Sequence, residues 1–223
     1  MSDFERRVEL AMPSAAKIFT PAVTAIIVLM IIGFALVHHA QEFTLGYLTL
    51  NPQTFLPVRL WQLITYSFIN LCPWPLVFNG FVVLFIGSAI EREWRTRSFV
   101  VLWLVVSTIC GAVWLAVNLA GGWNYIGTGT GACAYGLIAT FGLVLRRQRF
   151  LALFWSVEAQ HLALILIGIG LVVGIAQPIT WIWVGGAAVA YFYVKLRWRL
   201  ASDTGRGGGG GTDFRPGGFV DID

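Results

Sequence analysis

The chain has 223 residues, of which 57% are hydrophobic and only 12% charged, and its mean hydropathy is +0.76. A soluble domain carries about 25% charged residues, so this chain lacks the polar surface that water demands, and its expected solvent is the bilayer. The net charge of +4 does not mark a nucleic-acid binder, because the basic residues stand in short clusters between apolar runs. Cys72, Cys110 and Cys133 show no CxxC spacing and imply neither a disulfide framework nor a metal site.

Spanning the hydrocarbon takes about 20 apolar residues, within a range of roughly 17–25. Six runs meet or approach that length: residues 18–37, 74–90, 98–120, 129–145, 159–176 and 179–194. The first has no clear cleavage site and reads as a retained helix rather than a signal peptide. Trp181, Tyr191, Tyr193 and Trp198 flank the sixth as interfacial anchors. Only Gln177–Pro178 separates the last two runs, which predicts a tight antiparallel pair.

All 15 Lys and Arg fall outside these runs, and the successive segments between them hold 3, 1, 3, 0, 3, 0 and 5. Cytoplasmic loops carry the excess of basic residues. The alternation therefore predicts six crossings with both termini in the cytoplasm. The expected organisation is a cytoplasmic segment 1–17, an all-α six-helix membrane domain 18–199 and a cytoplasmic tail 200–223.

The first outer loop, 38–73, is rich in apolar residues such as Leu50, Trp61 and Tyr66. It is expected to lie in the outer interface as short amphipathic pieces. The tail, with five consecutive glycines at 207–211, cannot bury a core and is expected to be disordered.

Ionisable residues within a membrane mark ion paths and proton relays, and the six runs hold almost none. Glu91 and Glu93 stand at the inner end of the second run among arginines. Glu158 and His161 fall one helical turn apart at the inner end of the fifth, where an interfacial ion pair is a better reading than half of a metal site. Asn79 is the polar residue set deepest and suits helix–helix hydrogen bonding. Small residues crowd the fourth run at Gly129, Ala132, Cys133, Gly136 and Ala139, and the sixth at Gly185, Gly186, Ala187 and Ala190. Small faces let backbones touch, which predicts that these two helices pack face to face.

Four stretches now stand in order: RLWQLITYSF at 59–68, FINLCPWPLVFN at 68–79, FIGSAIERE at 85–93 and GTGACAYG at 129–136. Together, over about residues 59–195, they resemble the rhomboid family of intramembrane serine proteases. The family's fold is a six-helix bundle, and its activity uses a serine at the start of the fourth helix with a histidine from the sixth. Carried over by position, the resemblance puts Gly131 at the nucleophile, with Tyr135 one turn on, and Trp183 at the general base. The two histidine positions of the second helix fall on Asn70 and Pro75, and only Asn79 keeps its oxyanion-side identity. Tyr135, Trp181 and Trp74 are the aromatic residues that the resemblance would set beside a substrate groove.

Neither half of a dyad is therefore in place. A nucleophile and its base must lie about 2.6–3.2 Å apart. His161 is at the inner end of its run, a bilayer core of about 30 Å away from Gly131. His38 and His39 stand at the outer end of the first run, without a serine partner in the expected position, and Thr128 and Thr130 lack a base. The resemblance implies a pseudoprotease, like derlins and inactive rhomboids, that handles single-span or other membrane proteins without cutting them. The alternatives are an active serine-type endopeptidase with an unorthodox site and a small-molecule transporter or assembly scaffold. No cofactor is implied, and a bacterial inner membrane is the expected location.

Overall fold

The computed structural model describes residues 19–55, 59–145, 149–152, 155–176 and 181–204. The N-terminal segment, Arg146, Arg147, the Gln177–Pro178 link and the glycine-rich stretch lie outside the described residues.

Helix α1 is Pro21–His39. Pro21 suits its first turn, where the missing N–H would have no intrahelical partner. Pro73–Phe81, a π-helical turn Val82–Gly87 and Ser88–Gly121 follow as one helical stretch, broken at Arg95, whose φ is 66° and ψ 152°. We call the arm 73–94 α2 and the arm 96–121 α3. That backbone region is close to glycine-only and costs about 1–3 kcal/mol, so neighbouring contacts must hold the corner. Helices α4 (Gly131–Val144), α5 (Ala159–Ala176) and α6 (Trp181–Thr204) complete the set.

The corner is held by Glu91, which is buried. Its carboxylate accepts hydrogen bonds from the Ala22 and Val23 amides at 3.1 and 3.0 Å, and from the Thr20 hydroxyl. The Thr96 hydroxyl donates to it at 2.7 Å. One side chain thus satisfies orphan amides at the start of α1 and ties the start of α3 to them, as the positive end of a helix dipole favours. The same contacts place the first residues of α1 beside the end of α2, so these two helices run antiparallel. Burial alone would raise the Glu91 carboxyl, but the four donors outweigh it and hold it below its ordinary value.

Pro21–His39 and Pro73–Gly121 are long and apolar enough to cross a membrane, each with a best-window mean hydropathy of 2.4, and Gly131–Val144 is a shorter apolar helix. Val28, Ile31, Ile32, Phe81, Phe85, Val113 and Val117 face outward. An apolar exterior of this extent marks a surface that meets lipid rather than water.

Between α1 and α2 the chain forms short helical turns: Gln41–Phe43, Thr44–Leu48, Pro52–Phe55, Gln62–Thr65 and Tyr66–Phe68. Phe43, Tyr47, Leu60 and Trp61 face outward, as short amphipathic pieces would. The segment also docks on α3, which the sequence does not indicate. The Tyr66 hydroxyl donates to the Ser107 carbonyl at 3.0 Å, and Ser107 Oγ donates to the Leu63 carbonyl at 2.9 Å. Arg59 donates to the Gly46 carbonyl at 2.7 Å and lies 4.2 Å from the Tyr47 ring centroid.

Helices α4 and α6 make the most extensive contact of any two elements. The Ala132 carbonyl presses directly onto Gly186, and a β-carbon at Gly136 would stand 3.1 Å from Val106 and 3.3 Å from the Gly186 carbonyl. The small faces read from sequence do meet.

Two features depart from expectation. The segment after α4 contains an antiparallel hairpin, β1 (Arg149–Ala152) with β2 (Trp155–Glu158), pairing Arg149 with Glu158. Glu158 thus ends a strand while His161 lies in α5, so the two are not one turn apart on a single helix. Among the described residues no group of His, Cys, Asp or Glu could hold a metal ion. Helix α6 also continues to Thr204 and takes 200–204 out of the expected tail, because no helix breaker intervenes before Gly205.

Candidate functional site

The start of α4 is assembled from segments far apart in sequence. Gly129 has φ 104°, a left-handed conformation that suits glycine, and its amide donates to the Tyr66 carbonyl at 3.1 Å. Thr130 precedes the helix but does not cap it. Its hydroxyl instead donates to the Ser67 carbonyl at 2.8 Å and accepts from Asn70 Nδ2 at 3.1 Å. Ser67, Asn70 and Thr130 are all buried, and Asn70 Oδ1 has no hydrogen-bond partner among the described residues. This cluster fixes the end of the outer segment to the residue that precedes α4.

Gly131 follows, and the Trp183 indole of α6 lies over it. A β-carbon at 131 would stand 2.8 Å from each of Cδ1, Cδ2 and Cε2 of that ring. Only glycine lets the indole approach this closely. A recess of about 160 Å³ remains beside the pair, lined by Tyr66, Trp114, Ile126, Gly127, Gly129 and Trp183 among others. Gly131 and Trp183 cannot form a nucleophile–base pair. Gly131 has no nucleophilic atom, and an indole N–H donates but cannot accept a proton. The buried Thr130 hydroxyl already gives its hydrogen to a carbonyl.

Gly131 and Trp183 are thus in contact. Asn79 is buried on α2, and Pro75 sits in that helix's first turn. Trp74 is 79% exposed and faces outward. Tyr135 lies against Gly170 of α5, so close that a β-carbon there would overlap its ring. It is therefore packed into the α4–α5 contact. Trp181 opens α6. His38 is bonded to the Phe34 carbonyl of its own helix at 3.0 Å and tilted against the Phe34 ring. In the sequence Asn70 stands only at a lost histidine position, and nothing there marks its bond to Thr130. The two are 60 residues apart, and neither carries a local signal of the other.

The family described as eukaryotic integral membrane protein (DUF1751) matches residues 21–208. No curated protein matches the chain. The match corrects one expectation: a bacterial inner membrane is overturned by a family described as eukaryotic, while a membrane location is consistent with it. Hydropathy and charge alternation carry no signature of the organism, because the same hydrocarbon thickness and charge rule apply widely.

Proposed function

The chain belongs to this family of eukaryotic integral membrane proteins, and from that premise we propose that it is a rhomboid-like pseudoprotease. On this reading it has six crossings with both termini in the cytoplasm, and it binds transmembrane segments of other membrane proteins without cleaving them. The observation that carries it is the Trp183 ring on Gly131. Those are the two positions at which the resembling proteases hold base and nucleophile, and here they form an apolar contact. The antiparallel tie of α1 to the end of α2 through Glu91 supports the proposed topology. The exposed ring of Trp74 and the apolar outer side of α2 at Val77, Phe78 and Phe81 supply a surface on which a helix can lie.

Site-specific photocrosslinking tests this reading. A photoreactive residue at position 74 or 78 should trap single-span proteins in the membrane, and the trapped partners should keep their full mass. The same probe at Val28 of α1 should trap far less. Equal trapping at all three positions, or trapped partners that are cut, would contradict the proposal.

A further inference from the structure

The last four turns of helix α6 carry Tyr191, Phe192, Lys195, Leu196, Trp198 and Arg199. Two recesses adjoin them. One, about 410 Å³, runs between α4, α5 and α6 over Leu143, Ala163, Leu164, Ile167 and Ala187 to Trp198. The other, about 500 Å³, is lined by Phe192, Leu196 and Arg199. Tyr191 and Lys195 line both. The Lys195 ammonium lies 5.6 Å from the Tyr191 ring centroid and 5.8 Å from that of Trp198. Two aromatic faces thus hold the cation where the recesses meet.

From Ala187 to Lys195 the first groove follows α6 over eight residue steps, or about 12 Å at 1.5 Å per residue. One leaflet of hydrocarbon is about 15 Å deep, half of the roughly 30 Å core. The groove therefore lies within one leaflet, where an acyl chain can follow it, and is too short for a crossing helix. Its floor is made of small residues, Gly142, Ala163 and Ala187, and Leu164 at its side is 59% exposed, so it opens laterally toward lipid. Arg199 follows Lys195 by four residues and lies on the same face of the helix.

We infer that this groove is a binding site for one anionic glycerophospholipid. An acyl chain lies over Ala163 and Ala187, and the headgroup phosphate meets Lys195, with Arg199 as the second cation. Phosphatidylcholine cancels its phosphate charge with its own ammonium, whereas phosphatidylserine keeps a net negative charge through its additional carboxylate, so the two cations select net negative charge. The inference goes beyond the client-binding reading and does not depend on it.

Native mass spectrometry of the full-length protein, released from detergent, tests the site. Phosphatidylserine and phosphatidylcholine with identical chains are titrated separately. One phosphatidylserine should be retained in preference to phosphatidylcholine. A juxtamembrane cation contributes about fivefold in affinity for anionic lipid. Lys195→Ala should therefore weaken retention about fivefold and the double variant with Arg199→Ala about 25-fold, whereas Lys195→Arg should retain the lipid. Leu164→Trp, which narrows the groove without touching a charge, should also weaken retention. All these side chains are exposed, and unchanged helix content by circular dichroism identifies the variants that are folded. Equal retention of the two lipids, no effect of Lys195→Ala, or glycerophosphate binding as tightly as the whole lipid would each overturn the inference. No client is present in the assay, so failure here would leave the client-binding reading untouched.

Discussion

The Trp183 indole lies so closely on Gly131 that three of its ring carbons stand 2.8 Å from the place a β-carbon would occupy. The two residues form one packing unit across the α4–α6 contact, and each determines what the other can be. Gly131→Ala should destabilise the protein by about 1–3 kcal/mol, the usual cost of overpacking a fitted core. Trp183→Leu, by making room, should remove most of that penalty in the double variant. Thermal unfolding of the four proteins in one detergent measures the coupling, which should be at least 0.5 kcal/mol for residues in contact. Additive losses would mean that the ring does not rest on Gly131.

Gly186 meets the carbonyl of Ala132, a backbone atom that cannot swing aside. Gly186→Ala and Gly136→Leu should therefore each separate α4 from α6 and lower the unfolding temperature in detergent. Gly168, where a β-carbon meets nothing within 4 Å, serves as the control. Gly168→Ala should be neutral or stabilising, since alanine favours a helix over glycine by about 1 kcal/mol. A loss at 168 as large as that at 186 would show that close packing is not the cause.

Glu91 should make stability fall in acid. Its folded carboxyl lies below the ordinary 4.5. The stabilisation is therefore complete above that pH, begins to fade below it, and is lost as the pH falls through the lower folded value. Glu91→Gln should be less stable at neutral pH and should flatten this acid limb. A wild-type profile that the substitution leaves unchanged below pH 5 would place the acid sensitivity elsewhere.

Thr130 carries two buried hydrogen bonds, to the Ser67 carbonyl and from Asn70. Thr130→Val should cost about 1–3 kcal/mol by leaving both partners unsatisfied. Thr130→Ser, which keeps the hydroxyl, should recover most of it. Equal losses for the two variants would assign the effect to the methyl group rather than to the bonds.

Much of this architecture is legible in one sequence because its signals are long or repetitive. A 19-residue apolar α1, the expected 159–176 run that is α5, and the small faces of α4 and α6 all announce themselves. Other features rest on a single residue or on remote pairing. The Arg95 corner has no glycine to mark it. Glu91 sits among arginines and reads as a surface charge, although it anchors two helix starts. The strand pair 149–152 and 155–158 begins within an arginine cluster, and its strands of four residues are too short for a periodic signal. At the candidate site, motif order aligns Gly131 with Trp183, but nothing local reports that Asn70 closes onto Thr130 or that Tyr135 turns toward α5.

The proposal at the centre of this account is that the chain handles membrane segments without cleaving them. The most direct measurement reconstitutes the purified protein in liposomes with a single-span membrane substrate and follows the substrate's intact mass over time. The substrate should remain whole, no fluorophosphonate should label the protein, and Gly131→Ser alone should change neither result, because the base position would still hold Trp183. A cut made by the wild-type protein and abolished by Thr130→Val, with the variant still folded, would contradict the account.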